Sequence, residues 1–158
     1  MLTPTERKQR IARLEELPAA LESSIAGLND AQLDAAIGEG EWSIRQIVHH
    51  VADSHLVGFA RMKLILTEKK PILKPYNQDA WVRLPDAALP PGISLGILRG
   101  LHARWSVMLA SLPDESWART GVHLDNGLMT LDDLLEVYAG HGDAHLAQIA
   151  KTRQAIAG

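Results

Sequence analysis

The chain contains no cysteine. That absence excludes a disulfide framework, a thiolate nucleophile and any zinc site built on sulfur. There is no apolar run long enough to span a bilayer, and the opening "MLTPTERKQR" has no apolar centre of a signal peptide. Neither sign of charge dominates, with 16 Lys and Arg against 19 Asp and Glu, so no electrostatic feature points to nucleic acid. No nucleophile triad and no Gly-rich elbow is present. The expectation is a soluble cytoplasmic protein whose residues 1–158 form one domain with a real core. Histidine, by contrast, is plentiful. The chain has seven, three of them in "HHVADSH".

Helix-period patterns account for most of the chain. Thr3, Pro4 and Glu6 read as an N-cap, a first helical residue and a capping-box partner. Ile11, Leu14, Leu17, Leu21, Ile25 and Leu28 then recur every three or four residues. Pro18 falls inside this pattern and predicts a kink or break. "NDAQLDAAIG" predicts a short helical turn ending at Gly38. A second long helix starts after Ser43 and stops before Pro71. The segment from Lys69 to Pro91 holds five of the eight prolines and reads as a long connection, with a helical turn near Asn77–Val82. A third helix is expected from a Ser94 cap to Pro113. Asn126-Gly127 between apolar residues predicts a hairpin. The last helix starts at Thr130, with Asp133 three residues on. These elements predict an all-α four-helix bundle with a crossover between the second and third helices and a small hairpin before the last.

The chemistry lies in the last helix. Leu131, Leu134, Leu135, Tyr138, His141, His145 and Ile149 share one stripe, so two imidazoles point into the bundle. Buried imidazoles need hydrogen-bond partners or a metal. Gly142 follows His141, so this is not the H-E-x-x-H of a zinc protease. A third candidate is His50, which shares a helix face with Ile47, Ser54 and Val57. His49 and His50 lie about 100° apart on a helix and cannot face inward equally. His55 falls on another face. The pattern favours His50, with His49 and His55 left open. Three neutral imidazoles suit zinc, nickel or iron(II) and leave coordination positions open. Manganese is a further option. Binding requires neutral rings, which predicts loss of metal as pH falls through about 6.

The stretch "EWSIRQIVHHVADSHLVGFARMKLILTEKKPILKPYNQDAW" and the later "YAGHGDAHLAQI" resemble the DinB-like superfamily, and within it the YfiT-like branch. The resemblance runs from about Leu28 onward. It implies a four-helix bundle, a homodimer and a metal-dependent hydrolase. Some members are thiol S-transferases that use bacillithiol, so a low-molecular-weight thiol is an implied co-substrate. The metal ligands implied are His50, His141 and His145. Relatives often carry Trp before the first of the last-helix histidines and further His around it. Here Gly140, Ala144 and Gln148 stand in those places, which leaves substrate and metal open.

Around the metal, Gln46, Asp53, Tyr138 and Gln148 are in phase to orient the ligand rings. Tyr76 and Trp81 in the long connection could wall the pocket. Trp42 and Trp105 read as core anchors and His102 as structural. His123 could reach the bundle mouth or sit in an exposed turn. Arg61 and Lys63 could meet an anionic substrate or form a solvated face. The expected substrate is a small molecule, with no nucleic-acid or membrane partner. The alternative is a non-catalytic, metal-binding or stress-response dimeric bundle, because no side chain stands out as general acid or base.

Overall fold

Three of the four long helices start where the sequence places a cap. The computed structural model describes residues 1–157. Helix α1 (Pro4–Ile25) opens on the reciprocal Thr3–Glu6 capping box. After the single turn α2 (Asp30–Leu33), helix α3 (Ile44–Thr67) opens on a second box, Ser43 with Gln46. A one-turn helix α4 (Gln78–Trp81) lies in the long connection. Helix α5 (Pro91–Ala110) begins three residues before the expected Ser94 cap, because Pro91 is preset for a first helical position. Helix α6 (Leu131–Ala157) begins where Asp133 N–H donates to Thr130 Oγ1 at 3.1 Å and Thr130 N–H donates to the Asp133 carboxylate at 2.8 Å.

Pro18 does not end α1, as its position predicts it could. Leu14, Leu17 and Leu21 are buried on either side and hold the helix across it. The Leu14 carbonyl loses its usual i+4 donor at Pro18 and is met by His102 from α5 instead.

Helix pairing explains the long connection. α1 packs on α5 and α6, and α3 packs on the same two helices. Arg7, Arg10 and Arg13 of α1 meet Asp132, Glu136 and Asp143 of α6 in the same order, so these two helices run parallel. His49, His55 and Met62 of α3 meet Ser94, His102 and Trp105 of α5 in order, so these two are also parallel. Parallel neighbours need a connection that travels back the full helix length. Residues 68–90 make it. Gln46 then clamps it by donating to the Val82 carbonyl at 3.0 Å, and His49 contacts the Leu89 carbonyl at 2.8 Å. The connection also adds a strand the sequence did not announce. β1 (Ile72–Leu73) pairs in parallel with β2 (Thr120–His123), which forms the expected hairpin with β3 (Gly127–Thr130). Two residues between prolines are too few to show a strand period.

The core falls into two apolar clusters. One joins Phe59, Met62, Trp105, Leu131, Leu134 and Tyr138. The other joins Leu21, Ile44, Ile47, Val51, Leu98 and Ile149. His55 of α3 and His141 and His145 of α6 fall between them along the chain, whereas His49 and His50 lie among residues of the second cluster. Among the described residues no helix is long and apolar enough to cross a membrane.

One buried ion pair sets the α1–α6 register. Arg7 Nε donates to Asp132 at 2.7 Å and its Nη2 at 3.0 Å, with Asp132 only 2 % exposed. Removing one partner strands the other charge, at about 3–5 kcal/mol. An exposed pair contributes about 0.2–1 kcal/mol. Urea denaturation should therefore show Asp132→Ala losing several times more stability than Glu136→Ala, whose Arg10 partner stays near solvent. Equal losses would contradict the buried-pair account.

Candidate metal centre

Two facing helices bring three imidazoles to one point. α3 supplies His50, and α6 supplies His141 and His145 one turn apart. His50 Nε2 lies 3.1 Å from His141 Nε2, which in turn lies 3.1 Å from His145 Nε2. One ring nitrogen of each lies within 4.8 Å of the others. A tetrahedral ion with nitrogens at about 2.0–2.1 Å separates them by roughly 3.3 Å. The donor set fits a divalent cation: three neutral nitrogens already at nearly that spacing. Without a cation, a proton on one nitrogen can bridge to only one neighbour at a time.

Burial keeps these rings neutral. It lowers His50 from its ordinary 6.5 to about 4, with the nearby His145 a further cause. It lowers His141 to about 3, helped by His145 and His50. His145 is lowered as well, again by burial, partly opposed by Gln148. Burial thus favours the neutral form of all three rings in the folded protein.

Gln148 fixes one ligand ring. Its Oε1 lies 2.9 Å from His145 Nδ1, so that nitrogen carries the proton and Nε2 is left bare. Trp42, read from sequence as a core anchor, is instead a wall of the site. Its ring lies 4.5 Å from that of His50 and stacks at 6.3 Å over that of His145. Its position just before the Ser43 cap was the available signal. A cavity of about 250 Å³ opens beside His145, lined by Gly40, Glu41, Trp42 and Gln148. Two further histidines back the site. His55 Nε2 lies 3.2 Å from His141 Nδ1, and His55 Nδ1 lies 3.0 Å from His102 Nε2. The helix phase that put His55 on another face underestimated how deeply α3 is buried, since it packs between α5 and α6.

Tyr138 is buried, with its ring 5.5 Å from His55 and its hydroxyl accepting from Arg61 at 3.0 Å. That ring lies across Gly58, where any Cβ would meet it at 2.3 Å. Arg61 also donates to the Lys74 carbonyl at 2.6 Å, which ties α3 to the connection. Lys63 lies over the Phe59 ring. Gln46 serves the helix cap and Val82. Asp53 is half-buried, and burial, with Asp86 near, raises its carboxyl. Tyr76 and Trp81 pack on each other at 4.4 Å. The Tyr76 hydroxyl is buried without a hydrogen-bond partner, and burial raises its phenol. His123 is buried in the sheet and accepts from Asp125 N–H at 3.3 Å. His49 is fully engaged by Ser94 at 2.7 Å and Leu89, so of the adjacent pair only His50 faces the site.

Fold and site together define a four-helix bundle with a three-histidine metal-site geometry on two facing helices. The chain belongs to the DinB superfamily, whose profile matches residues 13–149. A protein of Oceanobacillus iheyensis is 40% identical over 139 residues, covering 88% of this chain and 81% of its own length. One of Bacillus cereus is 42% identical over 146 residues, covering 92% and 84%. Both have metal-dependent hydrolase in their names. YfiT from Bacillus subtilis, described as a probable metal-dependent hydrolase with an unusual four-helix bundle topology, superposes with a TM-score of 0.95 at 36% identity. That match covers 99% of this chain and 91% of YfiT. A mycothiol-dependent maleylpyruvate isomerase superposes with a TM-score of 0.71 at 13% identity, over 94% of this chain and 63% of its own, a likeness of fold alone.

The lowered rings link stability to pH in the metal-free protein. The unfolded chain takes up protons near 6.5, while folded His50 and His141 wait until about 4 and 3. Below 6.5 the unfolded state therefore binds more protons. Stability from these rings is complete above that pH and is lost as pH falls toward the folded values. The urea midpoint of metal-free protein should drop between pH 7 and pH 5. A flat midpoint over that range would mean the rings titrate as if exposed.

Proposed function

We propose that the protein is a metal-dependent hydrolase of a small molecule, acting at the His50–His141–His145 centre. The observation that carries this reading is the convergence of the three Nε2 atoms, with the His145 ring also lining an open cavity. A bound zinc or nickel ion supplies Lewis acidity, the property that makes water acidic enough to attack at neutral pH. Three protein ligands leave positions for water and substrate, which separates a catalytic site from a closed structural one.

The protein's own groups then have defined tasks. His50, His141 and His145 hold the ion as neutral donors. Gln148 keeps the His145 ring turned so that Nε2 faces inward. Trp42 packs against the rings of His50 and His145 and walls that side of the site. The cavity next to His145 has room for a small substrate. Family membership and the shared name of the relatives agree with this reading.

Elemental analysis of protein purified without a histidine tag is the first test. About one divalent ion per chain is expected, with His50→Ala and His141→Ala each losing it. Ester and amide hydrolysis should disappear in the same variants. Full metal content in both variants would sink the site. Transfer of a small-molecule thiol in place of hydrolysis would keep the metal centre and move the assignment to a transferase, with the sulfur from outside this cysteine-free chain. A loaded protein silent in both assays would favour a non-catalytic metal-binding bundle.

A further inference from the structure

A chain of imidazoles runs from the metal centre across the bundle to the proline of α1. Pro18 has no N–H, so the Leu14 carbonyl four residues earlier lacks its helical donor. His102 Nδ1 contacts that carbonyl. A carbonyl oxygen can only accept, so His102 carries its proton on Nδ1. In a neutral ring its Nε2 is then bare. That bare nitrogen lies 3.0 Å from His55 Nδ1, which must donate. His55 Nε2 is bare in turn and lies 3.2 Å from His141 Nδ1, which must donate as well. The last consequence falls on His141 Nε2. It is left without a proton, 3.1 Å from the ring nitrogens of both His50 and His145. Every step needs neutral rings, and His55 at 0 % and His102 at 1 % exposure have no water to support a charge.

We infer that Pro18, the Leu14 carbonyl, His102 and His55 form a positioning relay that holds His141 as its Nδ1–H tautomer with Nε2 free for a metal. The inference rests on the metal-centre reading above. In water, free histidine favours the opposite tautomer, with the proton on the nitrogen that would bind the ion here. Partners of the non-ligating nitrogen commonly set the tautomer of a metal-bound imidazole. This relay does so through two further imidazoles, and its polarity originates in the one residue type that cannot satisfy a helix carbonyl. His102 and His55 touch no ligand position themselves. They act through His141.

The relay predicts opposite effects on fold and on metal. Pro18→Ala restores an N–H that competes for the Leu14 carbonyl. It should raise the melting temperature of the metal-free protein and yet weaken zinc binding. His102→Leu fills similar space without a donor or acceptor and should weaken zinc binding by about 10–100-fold. His102→Gln keeps both polar ends. Its amide nitrogen can donate to Leu14 and its oxygen can accept from His55 Nδ1, so it should recover most of that loss. A packing role alone would move stability and affinity together and would show no recovery with Gln.

The deciding measurement is long-range ¹H–¹⁵N correlation spectroscopy on histidine-labelled, metal-free protein, followed by zinc titration of the wild type and the three variants. Protons on Nδ1 of His102, His55 and His141 are expected, with His55 and His141 becoming tautomer mixtures in His102→Leu. Protonation of His141 at Nε2 in the wild type would overturn the relay. So would a His102→Leu protein that binds zinc as tightly as wild type. If His102→Leu does not fold, the wild-type spectrum decides alone. The expected protonation without zinc uptake would support the relay and overturn the metal centre on which it rests.

Discussion

A neutral imidazole has one donor and one acceptor, and burial obliges it to use both. Five of them form one contiguous network: His50, His55, His102, His141 and His145. Imidazoles paired only with each other form a chain whose ends must be something else. At one end the Leu14 carbonyl terminates it; at the other, the Nε2 atoms of His50, His141 and His145 converge at a spacing that suits a cation. The carbonyl end requires a gap in the hydrogen-bonding of α1, and Pro18 makes that gap. The close approach of α6 to α1 beside His141 favours glycine at position 142, since a Cβ there would meet the end of the Leu17 side chain at 2.6 Å and push it aside. Backbone choices on two helices thus follow from one network of polar rings.

The topology serves the same network. His50 comes from α3 and His141 and His145 from α6, while their backing ring, His102, comes from α5. Keeping α3 parallel to α5 puts His55 level with His102 and demands the long connection. The adjacent histidines of α3 divide the work. His50 faces the metal position, and His49, turned about 100° away, ties the returning connection to the start of α5. A substitution at either would damage the protein through an unrelated mechanism.

Much of this was legible before the structure. The capping residues Thr3, Ser43 and Thr130 are local signals, and the structure uses all three. The apolar period of the four long helices and the Asn126-Gly127 turn were equally local. His50, His141 and His145 could be singled out because spacing of four and an amphipathic phase are properties of one helix at a time, and the family resemblance agreed. What escaped depends on contacts between helices. His102 has no neighbour in sequence that marks it, and its role exists only because α5 lies against both α1 and α3. Trp42 looked like a core residue because aromatic burial does not reveal what the ring covers. Strand β1 has two residues and exists only through its pairing with β2.

The division of the core has an energetic consequence. In small zinc-folded domains the metal supplies the folding free energy, and the apo chain is unfolded. Here Leu21, Ile44, Ile47 and Leu98 on one side, and Met62, Trp105, Leu131 and Leu134 on the other, are buried without reference to a metal. Each such side chain contributes about 1.5–3 kcal/mol on burial. These two clusters hold α3 and α6 at the spacing that brings the three nitrogens together. A divalent ion bound there would meet ligands already near their final separation, with little reorganisation left to oppose binding. A site held in this way can leave coordination positions open, because its geometry does not depend on the ion being fully enclosed.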